Sequence, residues 1–150
     1  MGDSIASLST PLICGVPPGP PGTPSKVIGS LNSIQIAWTA PTDNGGAPIT
    51  NYLIKMDWSD GAGFVTVGNT GSGLVLTWTQ TGLTSNSPYW FKVIAQNSVD
   101  YGQESIPTKI IAGIVPAQPG TPVLVSQIET QVAFRWTAPV SIGEPPVIGY

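Results

Sequence analysis

The sequence matches itself at an offset of 98 residues, and no other feature narrows its possible folds so far. Pro21-Gly22-Thr23-Pro24 recurs as Pro119-Gly120-Thr121-Pro122, and Trp38-Thr39-Ala40-Pro41 as Trp136-Thr137-Ala138-Pro139. Gly45 meets Gly143, Pro48 meets Pro146 and Tyr52 meets Tyr150, giving 12 identities over the 32 ungapped positions from Pro21 to Tyr52. Upstream, Leu12-Ile13-Cys14-Gly15-Val16 lies opposite Ile110-Ile111-Ala112-Gly113-Ile114. The repeat predicts the final strand of one unit at 1–16, a joint at 17–21 and a complete unit at 22–114. A second joint follows at 115–119, then the first strands of a further unit at 120–150. Such a chain reads as a window on a longer array.

Within the complete unit the apolar period is two. Ser33–Thr39 places Ile34, Ile36 and Trp38 on one face, Ile49–Trp58 does so with Tyr52, Ile54 and Met56, and Pro88–Gln96 with Tyr89, Phe91, Val93 and Ala95. Turn clusters separate these runs at Ala40–Pro48, Ser59–Gly63, Gly68–Gly73 and Asn97–Glu104. No ten-residue helical stripe interrupts them. Seven short strands in about 95 residues predict an antiparallel β-sandwich.

Composition removes most chemistry. The chain has no His and a single cysteine, Cys14, which excludes Ser-His and Cys-His nucleophile pairs, the usual zinc ligand sets and an intrachain disulfide. Its five basic residues, Lys26, Lys55, Lys92, Lys109 and Arg135, are scattered in sequence on a chain of net charge −3, so no nucleic-acid partner is expected. Residues 110–128 carry no charge, yet three prolines among them argue against membrane insertion. The N-terminal stretch lacks the basic region of a signal peptide, and no Asn-x-Ser/Thr sequon occurs. One cysteine fits a reducing cytosol and a disulfide-free extracellular sandwich equally.

Taken in order, the Pro21–Pro24 motif, Trp38 with Pro41, the Asp43–Ile49 loop leading to Tyr52, Leu83 six residues before Tyr89, then Phe91, Val93, Ala95, Asn97 and Gly102 resemble the fibronectin type III domain. The resemblance covers essentially the whole chain. It implies an all-β, immunoglobulin-like sandwich in tandem repeats, a binding and spacer role, and no cofactor. It also implies a structural tyrosine corner at Leu83 and Tyr89, where the phenol reaches back to the backbone. Gln80 departs from the pattern and suggests a bulge or a side chain satisfied by the backbone. The Asn97–Glu104 loop holds no Arg-Gly-Asp, so the resemblance does not imply integrin binding by that route.

Few residues stand out as partner sites. Leu53, Trp90 and Ile94 share the outward parity of neighbouring strands; they read either as an exposed apolar patch covered by a partner or as a tryptophan shielded by a lysine stem. Asp100, Tyr101 and Glu104 are candidate loop contacts, set against a solvated tip. Asp57, Asp60 and Gly61 could suggest calcium, but their spacing misses the alternating-ligand loop and a capped turn is the better reading. Asp43 and Asn44 read as turn chemistry, and Cys14 as a small buried hydrophobe. The proline-rich joints predict semi-rigid beads on a string.

The function expected is non-enzymatic: a structural or adhesive spacer in a surface, secreted or filamentous assembly, extracellular or at the cell surface. Its partners would be proteins, either neighbouring repeats or other copies of the chain, including a strand-complemented homo-oligomer in which 1–16 lends a strand. Two alternatives stand beside it, an accessory module flanking a catalytic or carbohydrate-binding domain, and an intracellular cytoskeletal or axonemal array.

Overall fold

A computed structural model describes residues 15–114 and 117–139. The strand predicted within 1–16, the last part of the unit predicted at 120–150, Cys14 and two residues of the 115–119 joint therefore lie largely or wholly outside the described residues.

Alternating sequence becomes alternating burial. β1 (Ser25–Ser30), β2 (Ser33–Ala37) and β5 (Thr77–Thr81) form one antiparallel sheet in the order β1-β2-β5. The other sheet runs β4-β3-β6-β7 through β4 (Val65–Asn69), β3 (Asn51–Asp57), β6 (Pro88–Gln96) and β7 (Tyr101–Glu104), with β8 (Thr108–Ile111) also paired to β6. Ile34 and Ile36 from the first sheet meet Tyr52, Ile54, Phe91 and Val93 from the second, all fully buried. The inner residues of each strand supply the core because side chains two apart share a face. Trp38 lies edge-on to Tyr52 with ring centroids 5.5 Å apart, a geometry that adds about 0.5–1.5 kcal/mol to simple burial. Among the described residues no helix is long and apolar enough to cross a membrane.

The last strand departs from the expected seven because it is broken into β7 and β8. Ser105 causes the break: its hydroxyl accepts from Val93 N (3.0 Å) while its own N–H donates to Val93 O (2.9 Å). Pro107 then offers no donor, so pairing resumes only at Thr108. Gln80 produces no bulge, since β2 and β5 pair in unbroken register. Its side chain donates to Thr81 O (3.1 Å) and accepts from Trp78 Nε1 (3.2 Å).

Both open seams of the sandwich are closed by single side chains. Trp78 of β5 lies over Gly68 of β4, where a Cβ would collide with the indole. Lys26 of β1 donates to Ile111 O (3.1 Å) at the end of β8 and to Gly113 O (2.8 Å) just past it.

The proline-rich segment before β1, read above as a joint at 17–21, is instead fastened to its own unit. Prolines hold it extended, and polyproline geometry turns once in about three residues, so one side recurs at every third position. The N–H groups at Val16, Gly19 and Gly22 occupy that side and donate to Gly45 O, Asp43 O and Thr39 O, each at 2.9 Å. Pro18 O accepts from Gln103 N, and Pro18 and Pro24 are fully buried. Gly45, at φ 72°, and Gly102 are glycines because a Cβ would strike Val16 O and Pro18 O.

The second hairpin, β9 (Val123–Ile128) and β10 (Gln131–Arg135), repeats the first at the 98-residue offset. Ser25↔Ala37 becomes Val123↔Arg135, and Lys26↔Ile36 becomes Leu124↔Phe134. The skipped residue recurs too, Val27 in β1 and Val125 in β9. Gly120 N donates to Thr137 O (3.0 Å) as Gly22 does to Thr39 O.

Two hydroxyls of the sandwich differ in what they bond, and this gives a test. Tyr52 Oη is buried with no hydrogen-bond partner among the described residues, whereas Tyr89 Oη accepts from Thr84 N at 2.8 Å. Tyr52→Phe is expected to leave the melting temperature unchanged or raise it, while Tyr89→Phe costs about 1 kcal/mol by denaturant titration. The reverse order would contradict the packing described.

Candidate functional site

The outer face of the five-stranded sheet carries most of the candidates. In register across it lie Leu53, Ile94 and Glu104, then Lys55 and Lys92, then Asp57, Trp90 and Lys109. Strand pairing thus brings together three of the five basic residues, which sequence distance had kept apart.

An exposed apolar patch at Leu53, Trp90 and Ile94 is not what this face presents. Ile94 is only 6% exposed, and Leu53 and Trp90 are half-buried. Glu104 provides the reason, because its carboxylate bridges Lys55 Nζ (2.6 Å) and Lys92 Nζ (3.1 Å) from β7 across β6 to β3. Lys92 Nζ also sits 4.1 Å from the centre of the Phe64 ring. At the other end the Ser59–Gly63 turn folds over Trp90, so that a Cβ on Gly61 would lie 3.0 Å from the indole Cδ2. Lys109 Nζ stands 5.8 Å from that ring. The chain covers its own tryptophan.

The loop candidates also separate. Glu104 belongs to the lysine bridge rather than to the tip, and its bonds from Lys55 and then Lys92 hold its carboxyl below the ordinary range. Asp100 is exposed and closes its own turn by accepting from Tyr101 N at 2.7 Å. Tyr101 lies on β7 opposite Gln96 and is 44% exposed.

Asn97, singled out above only as part of the family pattern, is the residue this loop depends on. Buried to 3% exposure, it accepts at Oδ1 from Val99 N (2.9 Å) and Asp100 N (3.2 Å). Its Nδ2 donates to Val16 O (2.8 Å) and Asn44 O (2.9 Å), joining the proline strap, the Asp43–Gly46 turn and the loop after β6. Asp43 and Asn44 accept from Gly45 N and Gly46 N, as turn residues do. Asparagine alone among short side chains both donates and accepts twice over, which is the signal that could have marked it.

Asp57 is held as a turn anchor. Its carboxylate accepts from Ser59 N (3.1 Å), Ser59 Oγ (2.9 Å), Gly61 N (2.6 Å) and Gly63 N (3.3 Å). Burial on its own would raise the carboxyl pKa, but the Ser59 hydroxyl and the Gly61, Ser59 and Gly63 N–H groups bring it down to about 2. With its lone pairs so engaged it has little left for a cation, and no metal-ligating cluster occurs among the described residues. At the other sheet crossing, Tyr89 Oη meets Thr84 N while Leu83 N donates to Asn32 O (3.0 Å).

The family model for the fibronectin type III domain matches residues 19–111. The chain is 32% identical over 143 residues to a titin homolog of Caenorhabditis elegans, covering 89% of this chain and 1% of that protein. It is 28% identical over 158 residues to exoglucanase B of Cellulomonas fimi, covering 98% of this chain and 13% of that one. Among solved structures, a crystal structure of titin domains matches with TM-score 0.56 and 29% identity over 65% of this chain and 33% of that one. The chain thus spans a small fraction of the relatives it matches.

The Asp57 turn sets an acid limit. Its folded pKa of about 2 lies below the ordinary 3.8, so the unfolded chain takes up the proton first. The resulting stability is present above about pH 4 and is lost as pH falls toward 2, with Glu104 shifted the same way. Asp57→Asn is expected to melt lower than the parent at pH 7 and to flatten this slope in thermal scans between pH 5 and 2.

Proposed function

Because the chain belongs to the fibronectin type III domain family, we propose that it is a non-catalytic structural spacer, one stretch of a tandem array in a filamentous assembly. It would contact other proteins through its sheet faces and loops. The observation that supports this reading best is the second hairpin, which repeats the first residue for residue at 98 positions, bulge included. A bulge in the same place on the same strand is a feature of the unit, not an accident of one copy. Similarity to a titin homolog favours the filamentous, cytoskeletal setting over an adhesive or extracellular one.

A second reading rests on a separate finding. Similarity to an exoglucanase over nearly the whole chain fits an accessory module beside a catalytic domain. The native reading frame separates the two, since further 98-residue units support the spacer and a neighbouring catalytic domain supports the accessory module.

The native protein is expected to show a chain mass several times 15.5 kDa and an elongated, monomeric scattering profile. Intact mass spectrometry with small-angle scattering checks this. A 15.5 kDa chain that associates would overturn the array and point to strand complementation between copies.

A further inference from the structure

Each unit grips the chain at both of its ends, and the two grips are one unit length apart. At the exit, Ala112 N donates to Ser87 O (3.1 Å), Asn86 N donates to Ala112 O (3.0 Å), and Lys26 Nζ holds Gly113 O (2.8 Å). Ala112 and Gly113 are buried. At the start, Val16 N donates to Gly45 O (2.9 Å) and Val16 O accepts from Asn97 Nδ2 (2.8 Å). Val16 corresponds to Ile114 at the 98-residue offset, and Gly45 corresponds to Gly143. Among the described residues, the last one held at the exit of the complete unit is Gly113, and Val16, the first one held at its start, corresponds to the residue directly after it, Ile114.

We propose that consecutive units are joined with no free linker residue, the link between Gly113 and Ile114 being the only pivot. The inference rests on the array reading above. It replaces the semi-rigid bead-on-string joint with a direct splice, because the prolines belong to the following unit rather than to the space between units. The equivalent strap in the second unit already shows one of its rungs, Gly120 N to Thr137 O. Gly113 has φ 146°, a conformation that residues with a side chain rarely adopt, and glycine stands at the matching position 15. A pivot of one glycine link restricts neighbouring units far more than a linker of several residues does.

Spin-label distance measurements on the protein at its native length test this. Labels go on Thr79→Cys in the complete unit and Thr130→Cys in the next, both exposed positions, with Cys14→Ser and replacement of any further native cysteine removing competing thiols. The parent is expected to give one narrow distance distribution. Inserting Gly-Ser-Gly-Ser between Gly113 and Ile114 should widen it roughly twofold or more, and Lys26→Met, which releases Gly113 O, should widen it less. A parent distribution already as broad as that of the insertion variant overturns the splice. A label at position 130 moving as fast as in an unfolded chain would instead overturn the array reading, and the splice with it.

Discussion

Three backbone hydrogen bonds along the proline strap hold the arrangement on which the rest of the molecule depends. A segment so rich in proline has few donors, and Val16, Gly19 and Gly22 supply theirs with the threefold spacing of an extended polyproline chain. Without those bonds the strap would be a linker and its buried prolines would face water. With them, the start of the unit is stapled to the Asp43–Gly46 turn and, through Asn97, to the loop after β6. The positive-φ glycine at 45 and the bare Cα at Gly102 follow from the need to admit this strap at close range.

Much of this fold was legible in the sequence, for identifiable reasons. The period-two runs around Ile36, Tyr52 and Phe91 mark half-buried strands because only a pleated strand puts alternate residues on one face. The 98-residue offset pointed to the first strands of a further unit within 120–150, and β9 and β10 pair as β1 and β2 do at that offset. Less legible was what covers an outward face. Parity groups Leu53, Trp90 and Ile94 on one side, but exposure depends on neighbours that parity does not name. Glu104 lies far along the chain from Lys55, and only pairing of β7 through β6 to β3 brings its carboxylate to both lysines.

The strap escaped sequence reading for a different physical reason. Proline-rich composition fixes local backbone shape, and the same shape serves a free joint or a docked edge. Which one forms depends on acceptors at Thr39, Asp43 and Gly45, distant in sequence and aligned only once the sandwich has formed. Asn97 is a comparable case, because its four bonds join loops that meet only in the folded unit.

These features describe a unit whose polar groups are spent on holding its own ends. Amide hydrogen exchange at Val16, Gly19 and Gly22 tests that account most directly. Docking of the strap predicts protection comparable to the β1–β2 ladder, with Gln103 protected alongside them. Exchange at the rate of free chain at all three amides would contradict it, returning the prolines to the role of an open joint.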